Sequence, residues 1–321
     1  MNHPATTFTL QGHAALVLAQ LTQEIAAGKL AHGILLSGPE GIGKATLAYA
    51  LARKLLGEGD DTLARILAGS HTDLLVVERL FDEKKEEFAK DISVEQTRKI
   101  AEFLSLTAGE GAWRVVIIDD ADSMNNNAAN AILKILEEPP ANAVIILVAH
   151  QASRLLPTIR SRCRLCKIAP LSSEDFTQIM RSQLPEIGLE TCAQLGDLTD
   201  YSPGLAQRLH AQEALDMQGQ LDLIFAELPN IAHDRVLGMA EQIGSGKQHQ
   251  NWQLFTRLVL HWLAARARES NAPYWAEKWQ QTSNEFALCE ARHLDYKSSV
   301  ISFFHNLTTH SEAISIVKAT R

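Results

Sequence analysis

The chain has few cysteines and no sign of a secretory leader. Its 321 residues include four cysteines: Cys163, Cys166, Cys192 and Cys289. Four scattered thiols are too few for a disulfide scaffold, so a reducing cytoplasm is the compartment that we expect. The N-terminus lacks the basic start and the cleavage site of a signal peptide, which agrees with a cytoplasmic location.

Long apolar runs and an excess of positive charge are also missing. The longest apolar run, Ala143 to Ala149, has the length of a strand, whereas a membrane span needs about 20 residues. The formal net charge of −8 argues against tight DNA binding driven by overall charge, so nucleic-acid contact would need a local basic face. Hydrophobic residues at 46% and charged residues at 21% are typical of a globular protein. The length predicts two or three domains.

The sequence does contain a phosphate-binding loop with one part missing, Gly38-Pro39-Glu40-Gly41-Ile42-Gly43-Lys44-Ala45. The spacing of Gly38, Gly43 and Lys44 fits the Walker A pattern. In that pattern glycines let backbone N–H groups close around phosphates, and the lysine reaches the outer phosphate oxygens. The pattern next requires Ser or Thr, whose hydroxyl holds Mg²⁺. Ala45 stands at this position, and its methyl group cannot bind a metal.

The segments on either side of the loop support that interpretation. The short apolar run at 33–37 is typical of a buried strand. After the loop, Leu47, Leu51 and Leu55 recur at four-residue spacing, as one face of a helix would. A strand, a glycine loop and a helix point the unpaired N–H groups of the helix N-terminus at an anion. The predicted nucleotide contacts in this segment are Gly38, Gly41, Gly43, Lys44, Ala45 and Thr46.

An acidic motif follows a second apolar run. The run at 115–118 leads into Asp119-Asp120-Ala121-Asp122, the Walker B form. Asp119 would lie at the carboxyl end of a parallel strand, where such sheets bind ligands, and its expected role is to hold Mg²⁺ or a water of its shell. In hydrolysing proteins of this class a Glu usually follows. Asp120 is one methylene shorter, and a misplacement of about 1 Å can cost about a hundredfold in rate.

Short apolar runs alternate with helical patterns between Gly33 and Ile168, which predicts a parallel sheet flanked by helices. The candidate strands are Ile34–Ser37, Leu74–Val77, Trp113–Ile118, Val144–Val148 and Arg164–Ile168. Ser93 begins a capping box and Asn127 is a candidate cap for the next helix, which Pro139 ends. The charged segment 78–91 is predicted to be a solvated loop or extension.

Beyond Pro170 the strand patterns stop and helical patterns continue to the end. Ser172 starts the first of these helices. In the last region Leu254 and Leu258 mark one apolar face of a helix, and Phe255 and Val259 mark an adjoining one. A helix that is apolar on adjoining faces packs against more than one neighbour.

Three segments resemble the bacterial clamp-loader subunits of the AAA+ class: Leu30-Ala31-His32-Gly33, residues 128–140 ending in Leu136-Glu137-Glu138-Pro139-Pro140, and Leu155–Cys163 with its Ser161-Arg162-Cys163. The resemblance covers about residues 9–210. In that family the arginine of Ser-Arg-Cys is an arginine finger, which reaches into the nucleotide site of a neighbouring subunit. The resemblance therefore implies that Arg162 acts as a catalytic residue in trans.

Four departures from the motor subunits of that family indicate the type of subunit that the chain resembles. Ala45 replaces Ser or Thr, Asp120 replaces Glu, Ala149-His150 stands at the polar sensor stretch, and Gly204 stands where a second sensor arginine would lie. With Arg162 intact, this combination looks like the delta-prime type, which completes a neighbour's site without firing its own. Residues 56–73 contain no cysteine, so the zinc module of many relatives should be absent. Cys163 and Cys166 form an isolated pair, which is weak support for zinc.

The resemblance implies an AAA+ nucleotide-binding domain at 1–169, a helical lid domain at 170–211 and a helical collar for oligomerisation at 212–321. It implies a role as part of the DNA polymerase III holoenzyme, in a heteropentamer with gamma/tau and delta subunits. That assembly opens a sliding clamp and places it on primer–template DNA; no membrane partner is implied. ATP or ADP would bind weakly or structurally, and Mg²⁺ binding stays open.

Two alternatives belong to other functional classes. An active gamma/tau-type ATPase, or another AAA+ ATPase of DNA repair, would hydrolyse ATP as an isolated chain. It would need Thr46 to supply the missing hydroxyl, although one residue along a helix rotates a side chain by about 100°. A P-loop kinase of small metabolites would leave Arg162 and the long helical C-terminus unexplained.

Overall fold

The structure is a computed structural model that describes residues 10–309, apart from 83–86, 107–108, 110–112, 247 and 271–272. The chain separates into two compact units, Met1–Gln207 and Arg208–Arg321. The finer division into a nucleotide-binding domain, a lid and a collar stays a prediction.

The first unit contains a parallel sheet of five strands with helices on both faces, as the sequence predicts. The strands are β1 (Gly33–Ser37), β2 (Leu74–Val77), β3 (Phe81–Asp82), β4 (Glu87–Phe88), β5 (Arg114–Ile118), β6 (Ala143–Ala149) and β7 (Arg164–Lys167). The parallel sheet has the order β2-β5-β6-β1-β7, and β3 and β4 form a separate two-stranded antiparallel hairpin. All residues of β1, β5 and β6 are buried, because helices cover both faces of the sheet.

Alternate residues of the central strands enter two different hydrophobic clusters. Leu36 and Ile146 belong to the cluster that the first helices complete, whereas Leu35 and Ile145 belong to the cluster on the opposite face. The helices of this unit are α1 (Gly12–Ala26), α2 (Lys44–Leu56), α3 (Asp60–Leu67), α4 (Val94–Ser105), α5 (Asn126–Glu137), α6 (Pro157–Arg160), α7 (Ser173–Gln183), α8 (Leu189–Leu198) and α9 (Pro203–Ala211). The division between the two units falls within α9.

Capping residues close in sequence set the starts of these helices, and one of the predicted caps was wrong. Ser93 and Gln96 form the reciprocal capping box of α4, and the Ser172 hydroxyl accepts a hydrogen bond from the backbone N–H of Asp175. The expectation that Asn127 caps α5 was wrong. Asn125 is the cap, because its side chain accepts from the N–H of Ala128 and leaves the following asparagines inside the helix.

The charged segment 78–91 is an extension, and its described residues contain the β3–β4 hairpin. Phe81 and Phe88 pair across the two strands with their ring centroids 5.1 Å apart in an edge arrangement, and both rings are exposed. The guanidinium of Arg79 lies 5.7 Å from the centroid of Phe88. Residues 83–86 of the segment lie outside the described residues.

The second unit is helical, with an aromatic core. Its helices are α10 (Ala214–Ala226), α11 (His233–Ile243), α12 (Gln248–Ser270), α13 (Pro273–Ala291) and α14 (Tyr296–Thr309). Phe255 of α12 lies fully buried among aromatic rings from three helices, including Trp252, Phe286 and Phe303. The adjoining apolar faces predicted for α12 are thus both used in packing. None of the helices in the described ranges is both long enough and apolar enough to cross a bilayer.

Replacing Phe255 with alanine should destabilise the helical unit by about 3–5 kcal/mol, because the substitution removes a fully buried ring and leaves a cavity. Leu288→Ala on α13 is the control, since this leucine is 46% exposed and its loss should change stability by less than about 0.5 kcal/mol. Chemical denaturation followed by circular dichroism measures both values. Equal losses for the two variants would contradict the proposed core.

Candidate functional site

Four parallel strands bring their carboxyl ends to one edge of the sheet. Ser37 of β1 pairs with Ala149 of β6, and Ile118 of β5 aligns with Leu147 of β6 and with Val77 of β2. The residues that follow these strands therefore lie close together. They are Gly38 after β1, Glu78 and Arg79 after β2, Asp119 after β5 and His150 after β6. This is the edge at which the sequence places the nucleotide site.

The glycines of the loop occupy positions that a side chain would disturb. A Cβ at Gly38 would lie 2.4 Å from the carbonyl oxygen of Ile168. Gly41 and Gly43 have φ values of +75° and +98°, and Gly43 is the N-cap of α2. Left-handed backbone favours glycine because other residues place Cβ against the following carbonyl. The loop thus has the conformation that the glycine spacing predicts.

Lys44 is buried and turns back onto its own loop. Its Nζ donates to the carbonyl oxygens of Gly38 at 2.8 Å and Pro39 at 2.6 Å, and lies 3.2 Å from Nδ1 of His150. Burial lowers the pKa of the Lys44 amino group to about 8, against the opposing effect of the nearby carboxylates led by Asp119. The donors that would serve a phosphate are engaged within the protein.

Asp119 lies deep at the end of β5. Burial raises the pKa of its carboxyl group, although the N–H of Asp120 donates to Oδ1 at 3.0 Å and favours the ionised form. The same burial, together with the charge of Asp119, raises the pKa of Glu78. Tyr49 of α2 is affected in the same way, and its pKa rises to about 12. The edge therefore brings several acidic side chains close together, with Asp119 and Asp120 half-buried.

Asp120 is held by Arg79 and lies beside His150. Oδ2 accepts from Nε of Arg79 at 2.6 Å, and Oδ1 lies 3.6 Å from Nε2 of His150. In the His150 tautomer that carries its proton on Nε2, Nδ1 accepts from Lys44 while Nε2–H faces Asp120. The side chains of Lys44, His150, Asp120 and Arg79 thus form a continuous polar chain along the edge, which we call the edge network.

The third acid of the motif has a structural role. The two carboxylate oxygens of Asp122 accept from the backbone N–H groups of His150 at 3.0 Å and Gln151 at 3.1 Å. This bidentate contact fixes the segment after β6 and therefore places the His150 ring beside Lys44. Ser37 contributes a second contact to that segment, since its hydroxyl accepts from the N–H of Ala152 at 3.2 Å.

The residues present do not fit a hydrolytic Mg²⁺ site. Ala45 offers a methyl group at the position of the usual hydroxyl ligand. Thr46 is 6% exposed and lies one residue further along α2, so its hydroxyl is rotated by about 100° from that position. Asp120 is already paired with Arg79. A divalent cation prefers ionised oxygen ligands that are free to approach it.

The start of α9 packs directly against the loop. The N–H of Gly204 donates to the carbonyl oxygen of Gly41 at 2.8 Å. A Cβ at Gly41 would lie 2.3 Å from the backbone nitrogen of Leu205. A Cβ at Gly204 would lie 3.0 Å from the carbonyl oxygen of Gly41. The close backbone contact therefore requires glycine at position 41 and favours it at position 204.

Arg162 is exposed and lies in the short connection between α6 and β7. It is not part of the edge network. Its side chain is 34% exposed, Nη2 lies 2.5 Å from Oε1 of Glu137, and Nη1 donates to the carbonyl oxygen of Thr158 at 2.9 Å. The guanidinium is therefore accessible to a second molecule.

The two cysteines of the isolated pair lie on opposite faces of the sheet. Cys163 belongs to the cluster that contains Leu35, and Cys166 to the cluster that contains Leu36. Burial raises the pKa of the Cys163 thiol to about 11 and also raises that of Cys166. Because the sheet separates the two neutral thiols, they cannot bind one metal together or form a disulfide.

The structure brings the predicted loop residues and Asp119 to one edge and places Arg162 elsewhere on the surface. Three partners were not found from the sequence: Arg79 on Asp120, His150 on Lys44 and Glu137 on Arg162. The sequence offered one clue to the first two pairs. Arg79 and His150 both follow predicted strands whose carboxyl ends meet at the same edge. Glu137 lies in a segment that was noted only because it resembles the clamp-loader subunits.

The strand order, the glycine loop between β1 and α2, and the acids after β5 define an α/β P-loop protein with a helical C-terminal unit. Residues 13–172 match the family model described as DNA polymerase III, delta subunit. A DNA polymerase III subunit delta′ of Yersinia pestis is 30% identical over 282 residues, which are 84% of this chain and 76% of that protein. The chain belongs to the family of DNA polymerase III delta′ subunits.

Two further relatives extend the comparison. The subunit delta′ of Pseudomonas aeruginosa is 40% identical over 202 residues, or 60% of this chain, and the match spans 59% of that relative's length. A DNA polymerase III subunit tau of Salmonella typhimurium is 30% identical over 245 residues, covering 71% of this chain and 36% of that protein.

Replacing Gly41 with alanine should destabilise the first unit through strain at positive φ and through collision with the backbone of Leu205. Gly28→Ala is the matched control, because Gly28 has φ +65° but nothing within 4 Å of an added Cβ. Gly28→Ala measures only the cost of a side chain at positive φ. We expect the Gly41 variant to lose about 1–3 kcal/mol more of its free energy of unfolding. Urea denaturation measures both. Equal losses would show that α9 does not press on the loop.

Proposed function

We propose that this chain is the non-motor subunit of a cytoplasmic replicative clamp loader. It would work in a heteropentamer with gamma/tau-type and delta-type subunits that opens a ring-shaped sliding clamp and places it on primer–template DNA. The names of the relatives support this, since they are delta′ and tau subunits of DNA polymerase III. In that assembly the chain would serve as a mostly rigid wall.

The observation that carries the proposal is the contrast between Arg162 and the chain's own nucleotide edge. The side chain of Arg162 is 34% exposed even though Glu137 contacts it, whereas Lys44 is 4% exposed and donates to carbonyl oxygens of its own loop. A guanidinium stays charged at any relevant pH and offers a fixed fork of donors to phosphate oxygens. We propose that Arg162 is an arginine finger that stabilises charge on the γ-phosphate bound by a neighbouring subunit.

We further propose that the chain's own loop binds ATP or ADP weakly or structurally at most, and does not hydrolyse ATP. A phosphate would have to replace the carbonyl oxygens of Gly38 and Pro39 as partners of Lys44. Ala45 gives Mg²⁺ no hydroxyl ligand, and Asp120 would have to leave Arg79 before polarising a water.

The second candidate function is an active gamma/tau-type ATPase or another AAA+ ATPase of DNA repair, which the 30% identity to a tau subunit favours. The burial of Thr46 and the pairing of Asp120 argue against it.

Arg162→Ala, assembled with the gamma-type and delta-type subunits, should lower the DNA-stimulated ATPase of the complex to less than about half while leaving assembly intact. The physical reason is that an arginine supplied in trans is worth roughly 10³–10⁵ in rate at the site it serves. Arg160→Ala is the control, because this arginine is exposed and two residues away. Steady-state phosphate release and gel filtration are the measurements. An unchanged rate in the Arg162 variant would refute the finger.

The isolated chain should bind labelled ATP with a dissociation constant no tighter than about 100 µM, with no tightening by Mg²⁺, because Lys44 and Asp120 are already satisfied and Ala45 offers no metal ligand. Equilibrium dialysis with and without Mg²⁺ measures this, alongside a hydrolysis assay. Brisk turnover that disappears on Lys44→Ala would instead favour the motor candidate.

A further inference from the structure

Three of the segments that carry the family resemblance meet at the start of β1. A Cβ at Gly33 would lie 3.0 Å from Sγ of Cys163, 3.1 Å from the side chain of Leu136 and 3.2 Å from the carbonyl oxygen of Arg162. Cys163 and Leu136 are buried here. The backbone at Arg162 is thus fixed by close packing between β1, the end of α5 and the start of β7.

The guanidinium of Arg162 is held from two sides while part of it stays free for another partner. Glu137 engages Nη2 at 2.5 Å, and the carbonyl oxygen of Thr158 accepts from Nη1 at 2.9 Å. A guanidinium carries five N–H donors in one plane. Nη1 also lies 3.5 Å from the hydroxyl oxygen of Ser161. These contacts orient the plane and leave further donors, on a side chain that is 34% exposed.

Glu137 is the last residue of α5, where the partial negative charge of the helix end also favours a cation. Glu138 follows as the C-cap residue and is likewise exposed. The two neighbouring glutamates have the same charge, but it is Glu137 that contacts the arginine. Glu138 is consequently a matched comparison for the effect of charge alone.

We propose that Glu137 is a positioning residue for Arg162, an inference that rests on the proposed function. By holding the guanidinium in one orientation before a neighbour docks, Glu137 lowers the conformational entropy lost when the finger engages a phosphate. Immobilising one rotamer-rich side chain is worth about three- to tenfold in an equilibrium or a rate. An exposed pair of this kind contributes little to folding, so stability is expected to stay unchanged.

The test compares Glu137→Gln with Glu138→Gln in the complex assembled from full-length subunits. The quantity measured is the Arg162-dependent part of the DNA-stimulated ATPase, namely the rate of each complex minus the rate of the complex that carries Arg162→Ala. Glu137→Gln should lower this part about three- to tenfold in kcat with little change in KM, and Glu138→Gln should leave it unchanged. Glu137→Gln combined with Arg162→Ala should lose no more than Arg162→Ala alone, because both act through one group.

The outcomes distinguish a failure of the proposed function from a failure of the role proposed for Glu137. If Arg162→Ala leaves the rate unchanged, the proposed function fails and Glu137 fails with it. If Arg162→Ala lowers the rate but Glu137→Gln equals Glu138→Gln, or is faster than wild type, Glu137 has no positioning role and the finger stands. Equal melting temperatures of the isolated variants exclude misfolding as the cause of a loss, and a lower one for Glu137→Gln assigns that residue a structural role.

Discussion

The parallel alignment of β1, β2, β5 and β6 forces their carboxyl ends to one edge, and the charges that follow these strands must be balanced there. Asp119, Asp120 and Asp122 all follow β5, and Glu78 follows β2. Acidic groups in a poorly solvated place either take up protons or acquire partners. Asp119 accepts a hydrogen bond from the N–H of Asp120, Asp120 is paired with Arg79, and Asp122 is paired with backbone N–H groups. The edge is thus balanced by the protein's own groups.

This internal balance has a consequence for any anion that approaches the loop. The Lys44 amino group is surrounded by two carbonyl oxygens and an imidazole nitrogen, and its lowered pKa of about 8 reflects how little water reaches it. A phosphate would have to compete with these three contacts for the amino group. Because α9 also donates a hydrogen bond to Gly41, the loop is held from both sides. The glycine loop therefore connects β1 to α2 and also contacts the start of α9.

Most of the sheet and the loop could be predicted from the sequence, because they depend on local patterns. Buried strands are continuous apolar runs, and the capping box of Ser93 is encoded within four residues. The edge network could not be predicted in the same way. Lys44 and His150 are 106 residues apart, and only the strand order makes them neighbours. The pairing of Arg162 with Glu137 likewise depends on where α5 ends, and even the cap of α5 moved by two residues, from Asn127 to Asn125.

The two ends of β1 give a physical reason why the positions of Arg162 and of the glycine loop are separable. Gly33 begins the strand and packs against Cys163 and Arg162, while Gly38 follows its end, about 16 Å away at the usual rise per residue. Every residue of β1 is buried, and the strand pairs with β6 on one side and β7 on the other. The placement of Arg162 thus depends on the integrity of the sheet and of the end of α5. Because neither requires a bound nucleotide, the chemistry at one end of the strand can be lost while the arginine at the other end keeps its position.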